Sequence, residues 1–554
     1  MASVGASPTL FFGIMVIFVA VTILLGVYGY RNTKDNQQFL LGRNKSNSLI
    51  IALSYGATFL SASAIVGFGG QAATHGMVLM GLCLLNLALG LFIAFVVFGT
   101  RVRRIGRQLG ASTFSDLLGK IFKSNGVRGF AAAIIIIMMP IYCAAVLKGG
   151  VNTVVVLTGT TEFYNIILII LALVVGMYVV YGGIIAVMYN DALQAIIMAA
   201  GLIILFAVTL YVLGGFTAAV TDLSNLWSSG ALSGAGTMPG FNGFTAMPSF
   251  NSPEWWLVVS TFLLGVGIGA LTQPQLVVRF MSAKDDKMLN RSLIIGSIFM
   301  FIIVGVAYTV GALTNVYFFN TYGMGSFDYV ANTLHQGVDF IIPNYVLDVF
   351  NGSYGEIFIC VFILSLLCAA ISTLSALIHT IGTAGGHDVY TILKNRKTKS
   401  KEDSQSLLVN RSVTAIVMVL IVVYCFLMPN DIIAKATSLF MGLTAAALLP
   451  LMSYGLYAKR PRKEVALASI SVGTATYLFW ALFINSGSSI FLPICKWLTG
   501  KTVLFTGTIQ FVDALAVALP LSLLTLIIAI LVVRWRTSDS SEADIDTENS
   551  ASDS

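Results

Sequence analysis

The chain has 554 residues, of which 57% are hydrophobic and only 10% charged, with a net charge of +7. A soluble domain is about 25% charged, so these figures exclude a soluble enzyme, a disordered chain and a disulfide-built secreted scaffold. With 52 glycines and a mean hydropathy of +0.89, they point to one polytopic membrane domain.

A bilayer-spanning helix needs about 20 mostly apolar residues. Thirteen runs qualify: 8–30, 47–73, 76–100, 127–158, 163–182, 184–214, 254–279, 289–318, 354–388, 411–429, 433–457, 464–485 and 512–534. The first has no basic residue before it and exceeds a signal-peptide core, so it reads as a retained helix. The chain divides into 1–46 (first helix and loop), 47–214, 254–457, 464–534 and a tail, 538–554. That tail carries six acids and no Lys or Arg, so the remainder is +13. Its composition favours disorder.

The basic residues set the orientation. They collect after the odd-numbered runs: Arg31 to Lys45, Arg101 to Arg107, Arg279 to Arg291, Lys394 to Lys401, Lys459 to Lys463, and Arg534 with Arg536. The connections 215–253 and 319–353 contain none. The positive-inside rule then places the N-terminus outside and the C-terminus in the cytoplasm of a plasma-membrane protein. A basic balance of this kind implies no nucleic-acid partner. Residues 102–126 read as a basic, partly amphipathic stretch lying against anionic lipid. The six cysteines form no CxxC pair and read as packing residues.

The second run is interrupted in Tyr55-Gly56-Ala57-Thr58-Phe59-Leu60-Ser61-Ala62-Ser63-Ala64, followed by Gly67, Gly69 and Gly70. The seventh is interrupted in Gly265-Val266-Gly267-Ile268-Gly269-Ala270-Leu271-Thr272-Gln273-Pro274. Glycine and proline open the helical ladder, and in hydrocarbon the freed groups need protein, water or ions. Two broken spans in matching positions mark a transporter site; close packing through small residues is the other reading.

The ninth run carries Ala369, Ser372 and Thr373 on one face. The two hydroxyls are hard neutral oxygens that can join carbonyls of a broken helix around Na⁺, or bond back to their own helix. Asp191 lies early in the sixth run; a carboxylate at mid-membrane costs about 2.5–3.5 kcal/mol and marks either an ion path or a structural pair. Lys148 lies well inside the fourth run, as a counter-charge for an anionic solute or as a snorkelling lysine. Asp431 and Lys435 form a local i,i+4 pair. The four histidines have no metal spacing, and no nucleotide-binding or catalytic motif occurs.

Three segments together, YGGIIAVMYNDALQ (181–194), GVGIGALTQPQLVVRFMSAKDDK (265–287) and AAISTLSALIHTIGTAGGHDVY (369–390), resemble the sodium:solute symporter family over residues 8–485. The resemblance implies an all-α LeuT-type 5+5 inverted repeat, with runs 2–6 (47–214) and 7–11 (254–457) as its halves. It implies Na⁺ as coupling ion, held by the carbonyls of Ala57, Leu60 and Ala369 and the hydroxyls of Ser372 and Thr373, with Asp191 close to the ion path. No organic cofactor is implied. Residues 39–77 are more similar to pantothenate and monocarboxylate permeases than to proline permeases, which often carry an aspartate where this chain has Phe59. Some members bind a second Na⁺ through a serine one position after Ser375, where this chain has Ala376.

The resulting expectation is a Na⁺-coupled symporter for a small organic solute, most simply a carboxylate. Its pocket is expected among runs 2, 4 and 7, at Phe59, Ser61, Ser63, Tyr142, Lys148, Thr272 and Gln273. An amino-acid symporter, a channel and a membrane sensor are the alternatives.

Overall fold

A computed structural model describes residues 8–42, 47–232, 238–350, 355–395, 405–428, 433–490 and 492–552. All regular structure among them is helical. The elements used below are α1 (Pro8–Asn32), α2 (Ser48–Phe59), α3 (Phe68–His75), α4 (Phe114–Ile121), α5 (Asn125–Thr158), α6 (Tyr164–Val212), α7 (Gly265–Gly269), α8 (Pro274–Ser282), α9 (Asp286–Tyr322), α10 (Gly355–Thr383), α11 (Gln405–Leu427), α12 (Ile433–Tyr457), α13 (Lys463–Phe483) and α14 (Ala514–Ser552).

Among the described residues, eleven helical stretches are long and apolar enough to cross a bilayer. Two are too long for one crossing: Ser63–Gln108 has 46 residues and Thr161–Val212 has 52. At 1.5 Å per residue the second measures about 78 Å against a hydrocarbon core of about 30 Å. A glycine with positive φ breaks each, Gly76 (φ 83°) in the first and Gly183 (φ 56°) in the second. With these two breaks, and with the short apolar helix Ser48–Phe59 leading into Ser63–His75, the helical stretches line up with the thirteen runs read from hydropathy.

The Gly183 break is sterically required. A Cβ there would lie 2.8 Å from the Phe39 carbonyl oxygen and 3.0 Å from the Phe39 Cα. The neighbouring Gly182 carbonyl accepts from Thr33 Oγ1 at 3.0 Å, so the opened ladder is not left unsatisfied in an apolar setting. At the other break, Met77 N donates to Phe244 O at 2.6 Å, which seats the 238–252 connection on the turn.

The basic connections meet at one end of the bundle. Arg103 and Arg104 both pair with Asp286, and Arg101 lies 3.9 Å over the Tyr457 ring. At the opposite end His75 Nδ1 meets Glu254 Oε1 at 2.6 Å, and Asn315 Nδ2 donates to Ala73 O at 2.7 Å. α10 and α12 are largely enclosed, whereas α1 and α14 present apolar side chains outward. α14 continues past its apolar span to Ser552, through the segment whose composition favours disorder. All six cysteines are buried and unpaired.

The 102–126 stretch differs from the single lipid-facing element expected. It forms the end of the third crossing and then α4, whose Phe114, Leu117 and Leu118 are buried. A charge latch explains the burial. Asp116 pairs with Lys120 (2.9 Å) and Arg128 (3.3 Å), and Arg128 reaches Asp388 at 3.0 Å. Thr113 Oγ1 donates to the same Asp388. Burial pushes the Asp116 carboxyl up, but His387, Arg128 and Lys120 outweigh it and hold the group well below the usual carboxylate range. Asp431, the expected partner of Lys435, lies outside the described residues.

Gly183→Ala should lower the thermal unfolding temperature of the detergent-solubilised protein by several degrees. Gly183 lies at φ 56°, ψ −152°, a region that costs a non-glycine residue about 1–3 kcal/mol before any clash with Phe39. Gly13→Ala is the control, because nothing lies within 4 Å of its added methyl. Equal unfolding temperatures for the two variants would contradict the steric argument.

Candidate functional site

α2 stops at Leu60 (φ −95°, ψ 85°), whose N–H reaches Gly56 O at 2.9 Å. The chain then passes through Ser61 and Ala62 and re-enters helix by a π-helical turn, Ser63–Gly67, before α3. The second break has the same logic. α7 ends in a tight turn, Gln273 is extended (φ −67°, ψ 116°), and Pro274 opens α8 where its missing N–H is harmless. Gln273 Nε2 donates to Gly269 O at 2.9 Å and to Thr444 Oγ1 at 2.8 Å, tying this break to α12.

α10 lies against the first break. Ser372 Oγ is 2.8 Å from Ala57 O and 3.2 Å from Ala369 O. Thr373 Oγ1 is 3.0 Å from Thr58 O and 3.5 Å from Ala57 O. All five residues are fully buried. Two hydroxyls and three carbonyls thus converge at the C-terminal end of α2, where the half-helix dipole is negative. The set is all hard neutral oxygen, which fits Na⁺. Leu60, the third expected carbonyl source, sits at the break and lines the neighbouring cavity.

One residue below this cluster is a buried ion pair. Asp191 Oδ2 takes Arg279 Nη2 at 2.8 Å, Ser54 Oγ at 2.7 Å and Thr58 Oγ1 at 3.1 Å. Ser375 Oγ approaches Oδ1 at 3.4 Å. Arg279 also donates to Ser54 Oγ at 3.0 Å, to Thr58 Oγ1 and to Gln275 O. Both charged residues are at most 1% exposed. The network joins α2, α6, α8 and α10. Thr58 belongs to both assemblies, with its side chain on the ion pair and its carbonyl facing Thr373.

A narrow cavity adjoins the break on the other side. Phe59, Leu60, Ser61, Ser63 and Tyr142 line it, with Asn86, Tyr308 and Thr437 among their neighbours. Ser63 Oγ and Asn86 Oδ1 are buried without a hydrogen-bond partner among the described residues. Tyr142 Oη donates to Ser61 Oγ at 3.4 Å. The lining carries no formal charge. Lys148 lies elsewhere, with Nζ donating to Met428 O at 2.7 Å just past the end of α11. Thr272 and Gln273 are buried at the second break and are not part of this lining.

Sequence reasoning missed Arg279, which it grouped with the topology-setting cations. Its spacing held a signal, since it sits four residues after Gln275, inside the seventh run rather than beyond it. Asn86, Tyr308 and Thr437 gave none, because polar residues in runs 3, 8 and 11 reach the cavity only through the tertiary fold.

Removing one partner of a buried ion pair costs about 3–5 kcal/mol, because the other charge is left unpaired. Asp191→Asn should therefore destabilise the protein severely, and Asp191→Asn with Arg279→Gln should recover part of the loss. Thermal unfolding of the single and double variants measures it; strict additivity would mean the pair is not a unit.

The model of the sodium:solute symporter family matches residues 39–473. The chain is 24% identical to sodium/proline symporter 2 of Staphylococcus saprophyticus, over 86% of this chain and 87% of that protein. It is also 24% identical to a sodium/pantothenate symporter of Haemophilus influenzae (84% and 89%) and 26% identical to the osmoregulated proline transporter OpuE of Bacillus subtilis (84% and 87%). Its fold matches a substrate-bound, outward-open Na⁺-coupled sialic acid symporter with a TM-score of 0.70 at 17% identity, over 94% of this chain and 96% of that one. The broken helices, the neutral oxygen cluster and these matches lead to one conclusion: the chain is a multi-pass membrane transporter, not an enzyme, and belongs to the sodium:solute symporter family.

Proposed function

We propose that the chain imports a small organic solute, a monocarboxylate or pantothenate, by alternating access driven by the Na⁺ gradient across the plasma membrane. The observation that carries this reading is the convergence of Ser372 and Thr373 on the carbonyls of Ala57 and Thr58. Na⁺ sits between α2 and α10, held by the carbonyls of Ala57, Leu60 and Ala369 and by the hydroxyls of Ser372 and Thr373. Asp191 borders the path by which the ion leaves. Runs 2–6 and 7–11 act as the two inverted halves. The basic end faces the cytoplasm, with the N-terminus outside.

The solute occupies the cavity beside Phe59, Ser61, Ser63 and Tyr142, next to the second break at Thr272 and Gln273. Because that lining is uncharged, a carboxylate there is balanced by the bound Na⁺, which makes solute and ion binding mutually favourable. The membrane potential adds about 2.3 kcal/mol per charge per 100 mV to each inward Na⁺. A zwitterionic solute such as proline is the second reading, favoured by the same uncharged lining and by the proline-transporting relatives. Na⁺-jump uptake of acetate, lactate, pyruvate, pantothenate and proline in proteoliposomes separates the two. Uptake independent of Na⁺ would refute both.

Ser372→Ala and Thr373→Ala should each raise the Na⁺ concentration for half-maximal uptake about tenfold, equivalent to about 1.4 kcal/mol. An unchanged Na⁺ dependence would refute the ion site. Lys148→Gln should leave solute affinity within about twofold and lower thermal stability, because a hydrogen bond from a charged group contributes about 1.5–3 kcal/mol. Loss of carboxylate binding in this variant would instead make Lys148 the counter-charge.

A further inference from the structure

Asn86 opens the π-helical segment Asn86–Gly99 in the third run. Close backbone approaches wedge this part of the run between the two broken spans. A Cβ on Gly267 of α7 would lie 2.9 Å from Leu85 Cβ. One turn past Asn86, a Cβ on Gly90 would lie 3.1 Å from the Phe59 ring and 3.3 Å from Ala270 Cβ. The Gly90 carbonyl also accepts from Tyr55 Oη at 2.7 Å. Contacts on both sides thus fix the backbone that carries Asn86 at the central cavity.

Asn86 is 1% exposed and shares the lining with Ser63. Neither Asn86 Oδ1 nor Ser63 Oγ has a hydrogen-bond partner among the described residues. Two neighbouring hydroxyls already donate elsewhere, Thr437 Oγ1 to Ile433 O at 2.8 Å and Tyr142 Oη to Ser61 Oγ at 3.4 Å. The two unmet groups differ in kind. An amide oxygen only accepts, whereas a serine hydroxyl can donate. A buried polar group left unpaired is costly, so the matching ligand brings one acceptor and one donor together.

We propose that Asn86 is a specificity-determining residue that selects 2-hydroxy monocarboxylates over 2-oxo and unsubstituted acids. This rests on the carboxylate reading given above. The ligand carboxylate accepts from Ser63 Oγ, and the 2-hydroxyl donates to Asn86 Oδ1. A 2-oxo acid carries only acceptors, and an unsubstituted acid carries no polar group at that carbon, so either leaves Asn86 Oδ1 unpaired. A 2-amino acid has donors but also a full positive charge. With Na⁺ bound, a hydroxy acid leaves the uncharged site neutral, whereas a zwitterion leaves a net positive charge enclosed.

The test is initial uptake of lactate, pyruvate, propionate and alanine by the full-length protein in proteoliposomes under an inward Na⁺ gradient. The KM for lactate should lie at least about tenfold below the other three, because a site built around a hydroxyl rejects analogues that lack it. Asn86→Leu keeps the branched shape and removes the acceptor, so it should raise the lactate KM about tenfold and abolish the preference. A merely structural role would shift all four solutes alike. Should the variant fail to fold, the ranking on the wild-type protein decides. Pyruvate or alanine equal to or ahead of lactate overturns the proposal, as does Na⁺-driven uptake of all four with equal KM. Those results leave Na⁺-coupled solute import standing. Absence of Na⁺-driven uptake for all four overturns the carboxylate reading and this inference together.

Discussion

The buried pair between Asp191 and Arg279 is the constraint on which the site depends. Two charges at most 1% exposed are tolerable in an apolar bundle only when their remaining hydrogen-bonding capacity is met. Ser54, Thr58, Ser375 and the Gln275 carbonyl meet it, and they come from α2, α8 and α10. The pair therefore holds four helices in register. Thr58 passes that register to the oxygen cluster, because the residue that answers the ion pair with its side chain presents its carbonyl to Thr373.

The neutrality of the pair has a consequence for the cluster. With Arg279 balancing Asp191, the oxygens around Ala57, Ser372 and Thr373 carry only partial charges. A monovalent cation then meets a field set by carbonyl dipoles and by the C-terminal end of α2. On the proposed reading the interruption of α2 serves the ion site, since an unbroken helix spends those carbonyls on its own amides.

The glycines at the breaks act by geometry rather than by flexibility. Gly183 permits Phe39 to approach a backbone that no side chain could share, and Phe39 in turn offers its carbonyl to His379 at 2.9 Å. α10 is positioned through this contact on one side and through Ser375 on the other. The latch at Asp116, Arg128 and Asp388 pins the π-helical turn Ala384–Val389 that continues α10 at its basic end. The helix bearing Ser372 and Thr373 is therefore held along most of its length.

Periodicity and composition alone determined the all-helical membrane character, the segregation of basic residues to one end and the two broken spans. Each is a property of contiguous residues: hydropathy, loop charge, and the inability of Gly and Pro to sustain a ladder. The pairing of Asp191 was not legible, because its partner lies 88 positions away and a cation near a helix end looks like any topology-setting residue. The same held for Lys148, whose partner at Met428 is 280 positions distant, and for Asn86, Tyr308 and Thr437 in the central cavity. Local chemistry decides where a helix must break and which end is basic. Only close packing of distant helices decides which charge neutralises which, because a buried charge is satisfied by proximity in space and not by position in the chain.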